Sequence, residues 1–349
     1  MKYIPALSGL TLAGLRAALS SYPPFRARQI YRWICSGASS FAEMRNLPEE
    51  MRNELAANFR LFPGSAKQEL EDSDGTIKLR FTLDDGAVIE GVILADGKGR
   101  KTACLSTQAG CPMGCVFCKT GALGYARNLC AGEIAWQYLA LLKRDREISN
   151  IVIMGMGEPL LNLDELRKAL GFFCDKEGLN ISKRRITLST CGIAGGIIDL
   201  ANNGPDIRLA LSLTSAREEL RQALMPASRE NPLPLLKDAL CHYQKKTGRR
   251  VTLEMVLLGG INSSEADADA AAAFARGLEA VINLIPWNPA DDGSGKRLEF
   301  EGRALCPPSP SETAGFAAAL ERRGLKVTRR IGKGRGISGA CGQLGSLPD

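Results

Sequence analysis

Three cysteines that lie close together in the chain are the residues best suited to chemistry. Cys111, Cys115 and Cys118 form the pattern CxxxCxxC directly after a run of residues with strand character. Three thiolates can bind three irons of a 4Fe-4S cluster and leave the fourth iron open to a small chelating molecule. The spacing therefore predicts a catalytic iron-sulfur cluster with an open coordination position.

Two simpler interpretations of these cysteines are weaker. A structural zinc site normally has four protein ligands, and the single histidine of the chain, His242, lies far away on a predicted amphipathic helix. Free cysteines are often buried as small hydrophobic residues, but such tight spacing within a loop is poorly suited to core packing. Iron-sulfur chemistry is the preferred interpretation.

A Gly-Glu-Pro segment is the second candidate for chemistry. Gly157 and Glu158 follow the apolar run 151–154. A carboxylate at the end of a strand can accept a hydrogen bond from the ammonium group of a bound ligand. Because such tripeptides are usually only turns, this interpretation depends on the cysteine cluster in the same domain.

Alternating strands and helices are the elements that must position these residues. Helical periodicity predicts helices over 131–144, 163–177, 233–246 and 265–276. Around them lie six β-rich runs, at 102–106, 150–154, 185–189, 207–213, 251–257 and 280–285. The alternation predicts an α/β fold, a partial or complete parallel barrel with its active residues at the carboxyl ends of the strands.

The chain before residue 101 is organised differently. Amphipathic segments at 12–19 and 25–34 predict a small helical domain over residues 1–65. Alternating apolar residues and a turn at 84–86 predict a β hairpin or small sheet within a linker region, residues 66–100. Residues 101–349 then form the main domain.

Composition limits the class of protein. With 349 residues, 45% hydrophobic and 24% charged, the chain has an ordinary globular composition and enough length for a sizeable core. It shows neither a signal-peptide pattern nor the ~20 apolar residues of a membrane span, and its 11 cysteines then favour metal or redox chemistry over disulfides. We expect a cytoplasmic protein without a membrane partner. Its net charge of +7 permits a polyanionic partner without requiring one.

The residues around the cysteine loop resemble a known family. CxxxCxxC with an aromatic residue before the last cysteine is similar to the radical-SAM superfamily. The sequence resembles the RlmN/Cfr family over nearly the whole chain, in the runs 25–30, 44–48, 155–162, 182–190, 283–289 and 340–344. The resemblance implies a radical-SAM partial (βα)6 barrel with a small helical N-terminal domain and a short β linker region.

The resemblance also implies the cofactors and their ligands. The open iron of the 4Fe-4S cluster chelates S-adenosyl-L-methionine, and two molecules are used per turnover. The residues that the resemblance assigns to this cofactor are Gly157, Glu158, Ser189, Ser212, Leu213, Thr214 and Asn288. The family usually has histidine where this chain has Thr214, so only the backbone contact of Thr214 carries over directly.

Methylation of an adenine carbon is the activity that the resemblance implies. Carbon 2 and carbon 8 of adenine are electron-poor, so a methyl group cannot be transferred by simple displacement and radical chemistry is required. In the resembling enzymes a first S-adenosylmethionine methylates a cysteine, here Cys341, and a radical formed from a second removes hydrogen from that methyl group. Cys104 then forms a disulfide that releases the product, and Glu90 is the candidate proton acceptor.

The expected partners follow from the same resemblance. They are 23S rRNA at the peptidyl-transferase centre, tRNA next to the anticodon as a second candidate, and an electron donor such as flavodoxin or ferredoxin. The basic runs expected to contact phosphates are Lys143-Arg144, Lys183-Arg184-Arg185 and Arg329-Arg330 with Lys333 and Arg335.

Two alternatives stay open at the level of sequence. One is Cfr-type methylation at carbon 8; the other is a non-catalytic, metal-stabilised RNA-binding or ribosome-assembly protein. Carbon 2 is preferred because the runs 283–289 and 127–133 look more like RlmN.

Overall fold

The computed structural model of the chain describes residues 6–97, 99–330 and 332–346. Residues 1–5 and 347–349, at the ends of the predicted first and last domains, lie outside the described residues. The division of the chain near residues 65 and 100 stays a prediction.

The N-terminal part is helical, as predicted. Its helices are α1 (Leu12–Ala18), α2 (Pro24–Cys35) and α3 (Glu49–Asn58). Thr11 caps α1 by accepting a hydrogen bond from the Gly14 amide at 3.3 Å, and Pro24 begins α2 where no helical donor is needed. The apolar faces of α1 and α2 are buried, so these short helices are stabilised mainly by packing.

One 10-stranded sheet runs through the rest of the molecule. Its strands are β1 (Gly64–Glu71), β2 (Ile77–Leu83), β3 (Val88–Ala95), β4 (Lys101–Cys104), β7 (Ile148–Ile153), β8 (Ile186–Thr190), β9 (Arg208–Ser212), β10 (Val251–Leu257), β11 (Ala280–Pro286) and β14 (Val327–Arg329). The strands from β1 to β4 pair antiparallel, whereas those from β4 to β14 pair parallel. The strand order is open, with β1 and β14 at its edges, so the parallel part is a partial barrel.

Helices connect the parallel strands and cover them. They are α4 (Lys119–Ala122), α5 (Ala131–Arg144), α6 (Leu163–Cys174), α7 (Ala194–Asn203), α8 (Glu218–Leu224), α9 (Leu233–Thr247), α10 (Glu265–Ala275) and α11 (Pro310–Arg322). Two small antiparallel pairs complete the fold: β5 (Gln108–Gly110) with β6 (Tyr125–Asn128), and β12 (Glu299–Phe300) with β13 (Arg303–Ala304). Within the described residues, none of the helices has the length and apolar character that a bilayer span requires.

All six predicted parallel strands are confirmed, and a seventh was missed. Residues 251–257 were predicted as a strand, and β10 has the same bounds. The missed strand, β14, contains only Val327, Thr328 and Arg329, and none of them is fully buried. It is too short for a hydrophobic pattern and pairs with β11 through tertiary contact.

A second, smaller apolar cluster lies under the cysteine loop. Its buried members include Phe117, Leu224, Met225 and Trp287, and the partly buried Cys115 packs against them. The large core fills the barrel and extends under the N-terminal helices. The small cluster therefore gives the cysteine loop a support of its own.

Candidate functional site

The loop from Cys111 to Cys118 is held at both ends and in the middle by backbone contacts. The Cys111 amide donates to the Gly124 carbonyl at 2.8 Å, and the Val116 amide donates to the Leu224 carbonyl at 3.0 Å. Gly110 begins the loop at φ +76°, and a Cβ there would lie 2.0 Å from the Gly124 oxygen. Only glycine fits this turn, because both its conformation and its close contact exclude a side chain.

The indole of Trp287 fixes the end of the same loop. Its Nε1 donates to the Phe117 carbonyl at 2.8 Å, and its ring is buried in the small apolar cluster. The next residue after Phe117 is Cys118. Trp287 thus sets the position of the last thiol from the end of β11.

The three thiols fit a cluster better than a single ion. Burial raises the pKa of Cys111 to about 12 and also raises the pKa values of Cys115 and Cys118. Metal binding replaces those protons, because the thiolate is the ligand. Cluster thiolates bind separate irons, so three thiols on one loop suit a cluster that leaves a fourth iron open.

Glu158 lies just beyond the end of β7, as predicted. Its Oε1 accepts from the Leu160 amide at 3.0 Å and its Oε2 from the Cys191 amide at 2.7 Å. Burial raises the pKa of this carboxyl group, although the amide donors oppose the shift. The two amides fix the orientation of the carboxylate and leave it further acceptor capacity for a ligand ammonium.

Neighbouring strand ends carry the other predicted cofactor residues. Ser189 on β8 and Ser212 on β9 bring their hydroxyl oxygens within 3.3 Å of each other. The backbone then continues through buried Leu213 to Thr214, which is buried at φ +56°. The Thr214 hydroxyl has no hydrogen-bond partner among the described residues. A buried hydroxyl without a partner at this edge fits a polar ligand. The resembling family usually has a histidine where this chain has Thr214.

Asn288 joins the segment that follows β11 to the C-terminal tail. Its Nδ2 donates to the Cys341 carbonyl at 3.2 Å, and its Oδ1 accepts from the Arg335 Nε at 2.7 Å. Both ends of this amide are thus occupied by the segment that carries Cys341.

A cavity of about 590 Å³ runs along the barrel strands. Cys104, Cys118, Cys341 and Asn288 line it together with Arg330. Cys104 is the last residue of β4, so this group lies at the carboxyl ends of the strands. The structure therefore brings one cluster cysteine and both predicted catalytic cysteines to a single space.

The same cavity has a basic rim. Arg185 precedes β8 and Arg208 begins β9, so both lie at the amino ends of the strands, where they are exposed with Arg100. Arg329 and Lys333 also line the cavity near the tail. Lys143 and Arg144 are elsewhere: Lys143 donates to Ser39, and Arg144 forms ion pairs with acidic residues of β1.

Glu90 does not line the described cavity. It is 1% exposed on β3 and forms an ion pair with Lys78 at 3.0 Å. Its carboxylate also accepts from the Gly345 amide and the Ser346 hydroxyl, each at 2.8 Å. Glu90 thus holds the end of the tail that carries Cys341.

Two residues of this region were missed by sequence reasoning. Lys78 alternates with apolar neighbours and is typical of a solvent face, yet it is buried because it pairs with Glu90. Arg221 lies in a charged helical sequence and is also buried. No local pattern distinguishes either residue from a solvated cation, since the burial comes from distant parts of the chain.

Comparisons with known proteins agree with this geometry. The family model described as the radical SAM superfamily matches residues 105–272. A second model, described as the ribosomal RNA large subunit methyltransferase N-terminal domain, matches residues 6–61. The two matches span the cysteine loop and the N-terminal helices.

Individual relatives match nearly the full chain. A protein of Treponema denticola named as a probable dual-specificity RNA methyltransferase RlmN is 48% identical over 345 residues, covering 99% of this chain and 96% of the relative. A protein of Thermus thermophilus with the same name is 42% identical over 325 residues, covering 92% of this chain and 88% of the relative.

A solved structure agrees in fold and sequence. The crystal structure of a radical SAM methyltransferase from Sphaerobacter thermophilus superposes with a TM-score of 0.91 at 39% identity, covering 97% of this chain and 99% of that chain. The chain belongs to the RlmN family of radical-SAM RNA methyltransferases, enzymes that use a 4Fe-4S cluster and S-adenosylmethionine, two molecules of it per turnover.

Proposed function

We propose that this RNA methyltransferase modifies carbon 2 of an adenine in 23S rRNA at the peptidyl-transferase centre, with tRNA next to the anticodon as a second substrate. The observation that carries the proposal is the single cavity shared by Cys118, Cys104 and Cys341 and bordered by arginines. The relatives are named as dual-specificity RNA methyltransferases, which supports more than one kind of RNA substrate. The family model that matches residues 6–61 is named for large-subunit ribosomal RNA, which supports 23S rRNA as one of them.

The three cluster cysteines and the strand-end residues hold the cofactors in this proposal. When bound, the cluster and S-adenosylmethionine supply a methyl group and a deoxyadenosyl radical. Glu158 orients the ligand ammonium, while backbone and hydroxyl groups at the ends of β8 and β9 complete the cradle.

Cys341 carries the methyl group to the base. It lies in a loop, is followed directly by Gly342 at φ +83°, and is only partly buried. Its thiolate takes the methyl group and becomes a thioether, and that methyl group would give up one hydrogen atom to the deoxyadenosyl radical. The remaining carbon radical would add to the adenine carbon, and the adduct would lose one electron to the oxidised cluster and one proton to a base, so that a CH2 group joins Cys341 to the base. A residue on such a tail can occupy more than one position during turnover.

Cys104 resolves the intermediate in this proposal. Its thiol is buried at the end of β4, and burial raises its pKa to about 12, with the nearby Cys341 adding to the shift. Arg330 lies beside both sulfurs and opposes the shift for Cys104. A cation at this point favours the thiolate that must attack the Cys341 sulfur. The new S–S bond replaces the bond from that sulfur to the methylene carbon, which leaves with its electron pair and takes up a proton to become the methyl group of the product.

Glu90 is proposed as the proton acceptor for the adenine carbon. Its carboxylate is held by Lys78 and by the tail next to Cys341, so the number of its free acceptor positions depends on where the tail lies. A change in the tail that releases Gly345 and Ser346 would free acceptor positions on Glu90.

The basic rim is the proposed entrance for RNA. Arginines at the amino ends of β8 and β9 offer phosphate contacts that carry no sequence information. An adenine must leave its stack to reach Cys341, and a cavity of about 590 Å³ has room for a flipped base. We place the reaction in the cytoplasm, with a flavodoxin or ferredoxin as the electron donor.

The test is anaerobic turnover with defined RNA. The enzyme is reconstituted with iron and sulfide and given reductant, S-adenosylmethionine and an unmodified 23S rRNA fragment, and nucleosides are analysed by mass spectrometry. We expect 2-methyladenosine and deoxyadenosine. Cys341→Ala should abolish the methylated nucleoside, whereas Cys241→Ala, which changes an exposed cysteine of α9, should not.

Two outcomes would contradict the proposal. Formation of 8-methyladenosine would assign the chemistry to carbon 8 instead. A protein that binds the RNA but neither cleaves S-adenosylmethionine nor changes the RNA would support a non-catalytic role.

A further inference from the structure

Arg221 is an arginine enclosed within the protein next to the cysteine loop. It lies on α8 and its relative exposure is 0%. A buried charge is costly, by several kcal/mol for an ion moved out of water, unless other groups compensate it. The surroundings of Arg221 therefore indicate what it does.

The hydrogen bonds of Arg221 go to backbone carbonyls, apart from a contact of Nη1 with the Met225 sulfur at 3.6 Å. Nη1 donates to the Ser212 carbonyl at 2.9 Å and to the Leu213 carbonyl, and Nη2 donates to the Cys191 carbonyl. These carbonyls lie at the ends of β8 and β9, beside the proposed cofactor cradle. Nε has no partner among the described residues.

Burial lowers the pKa of the Arg221 guanidinium, but an arginine stays protonated in proteins, so the group remains a cation. Carbonyl oxygens are neutral dipoles, and within the described residues none of the ion pairs includes Arg221. Lys119, next to Cys118, is different because Asp291 neutralises it at 2.9 Å. Arg221 is therefore a cation without a contacting carboxylate.

The cysteine loop lies beside Arg221. Cys115 and Cys191 both pack against the small apolar cluster that contains Leu224 of α8, and Arg221 Nη2 donates to the Cys191 carbonyl. Arg221 interacts electrostatically with Cys191, Cys115 and the Glu218 carboxylate. The carbonyl of Leu224, one turn further along α8, accepts a hydrogen bond from the Val116 amide at 3.0 Å, so the helix and the loop are joined directly. Three thiolates add three negative charges to a bound cluster, and reduction adds one electron more.

We propose that Arg221 is a positioning residue that stabilises the reduced cluster through its charge. A fixed cation in a site of low dielectric lowers the energy of the more negative state, and cluster potentials respond to nearby charge. Arg221 thereby makes it easier for a donor to deliver the electron that starts turnover. This inference concerns the cluster and does not depend on which RNA or which adenine carbon is methylated.

The test separates charge from shape with two variants. Arg221→Gln keeps an amide donor but removes the charge, and Arg221→Lys keeps the charge but removes the forked geometry. Both are reconstituted anaerobically, their iron content is measured, and the cluster is titrated by EPR without S-adenosylmethionine. Arg217→Gln is the matched control, because Arg217 precedes the same helix with its side chain 48% exposed.

We expect Arg221→Gln to lower the equilibrium constant for one-electron reduction at least tenfold, which is about 59 mV for a one-electron couple. Arg221→Lys and Arg217→Gln should stay near the wild-type constant. Loss of iron in Arg221→Gln with retention in Arg221→Lys would assign the charge to holding the cluster and not to its reduction, which would overturn the proposal. An unchanged constant in Arg221→Gln, or a change or loss of iron in Arg221→Lys that equals or exceeds that in Arg221→Gln, would overturn the proposal.

Discussion

Cys104 and Cys341 line one cavity but are held very differently. Cys104 belongs to β4, which pairs with β3 on one side and β7 on the other. Cys341 is in an irregular tail and is held mainly by contacts of its neighbours and its own carbonyl. A fixed thiol and a movable thiol suit the two proposed tasks, resolving and carrying.

Removing the fixed thiol should stop the reaction after the carbon bond has formed. We expect Cys104→Ala to accumulate a covalent RNA-protein adduct at Cys341 and to release methylated RNA at least tenfold more slowly, because no thiolate attacks the Cys341 sulfur. The adduct would appear as labelled RNA migrating with protein on a denaturing gel. Release of free product by Cys104→Ala at the rate of Cys241→Ala would contradict the proposed role.

At the residue scale, the spacing of the cysteines predicted their role, whereas the burial of individual charged residues could not be predicted from the sequence. The cysteine loop could be predicted because its three thiols are close in sequence. The environments of Lys78 and Arg221 could not, since Lys78 is buried by Glu90 and the tail, and Arg221 by the ends of two strands. Charged residues whose sequence pattern is typical of the surface are buried here through contacts with distant segments of the chain.

The β1-β2 turn is the element that meets the tail. Asp74 accepts from the Gly334 amide and Asp72 from the Gly336 amide, each at 2.9 Å. A turn at 84–86 is predicted by the sequence and is present in the structure, with Gly86 at φ +86°. The turn at 72–76 holds a segment about 260 residues away in the chain, and no periodicity could predict that contact.

Loosening this turn should loosen the tail. We expect the double variant Asp72→Ala/Asp74→Ala to speed hydrogen exchange of residues 332–346 by roughly tenfold, because two hydrogen bonds to partly exposed carboxylates contribute about 1 kcal/mol together or somewhat more. RNA methylation should fall with it. Exchange mass spectrometry is the measurement, with Asp84→Ala at the next turn as the control. Equal tail exchange in both variants would show that the turn does not hold the tail.

At the scale of the whole molecule, the N-terminal helices are docked onto the barrel by polar contacts. Tyr31 of α2 is fully buried and donates to the Asp175 carboxylate at 2.9 Å, which also accepts from the Leu12 amide at 3.4 Å. Arg146 donates to the Ser36 carbonyl at 2.7 Å. The sequence predicted that a helical unit exists, but its partner surface depends on residues more than a hundred positions away.

The Tyr31 contact gives a test of this docking. Tyr31→Phe removes one buried hydroxyl, and we expect the free energy of unfolding to fall by about 1–2 kcal/mol at neutral pH. Urea unfolding followed by circular dichroism is the measurement. Tyr125→Phe is the control, because Tyr125 is 47% exposed and its hydroxyl makes a long hydrogen bond to Asn128 at 3.3 Å.

The pH dependence of this loss has a defined sign. Burial acts to raise the pKa of Asp175, but donors at Glu177, Tyr31 and Leu12 outweigh it and hold the pKa below its usual value. A carboxyl group with a lowered folded-state pKa stabilises the fold fully above its unfolded pKa, about 3.9, and this contribution is lost as pH falls through the folded value. Without the Tyr31 donor the folded pKa moves toward the unfolded one. The loss of unfolding free energy in Tyr31→Phe should therefore be greatest at neutral pH and shrink in acid. A loss that grows on acidification would contradict the assigned role of Asp175.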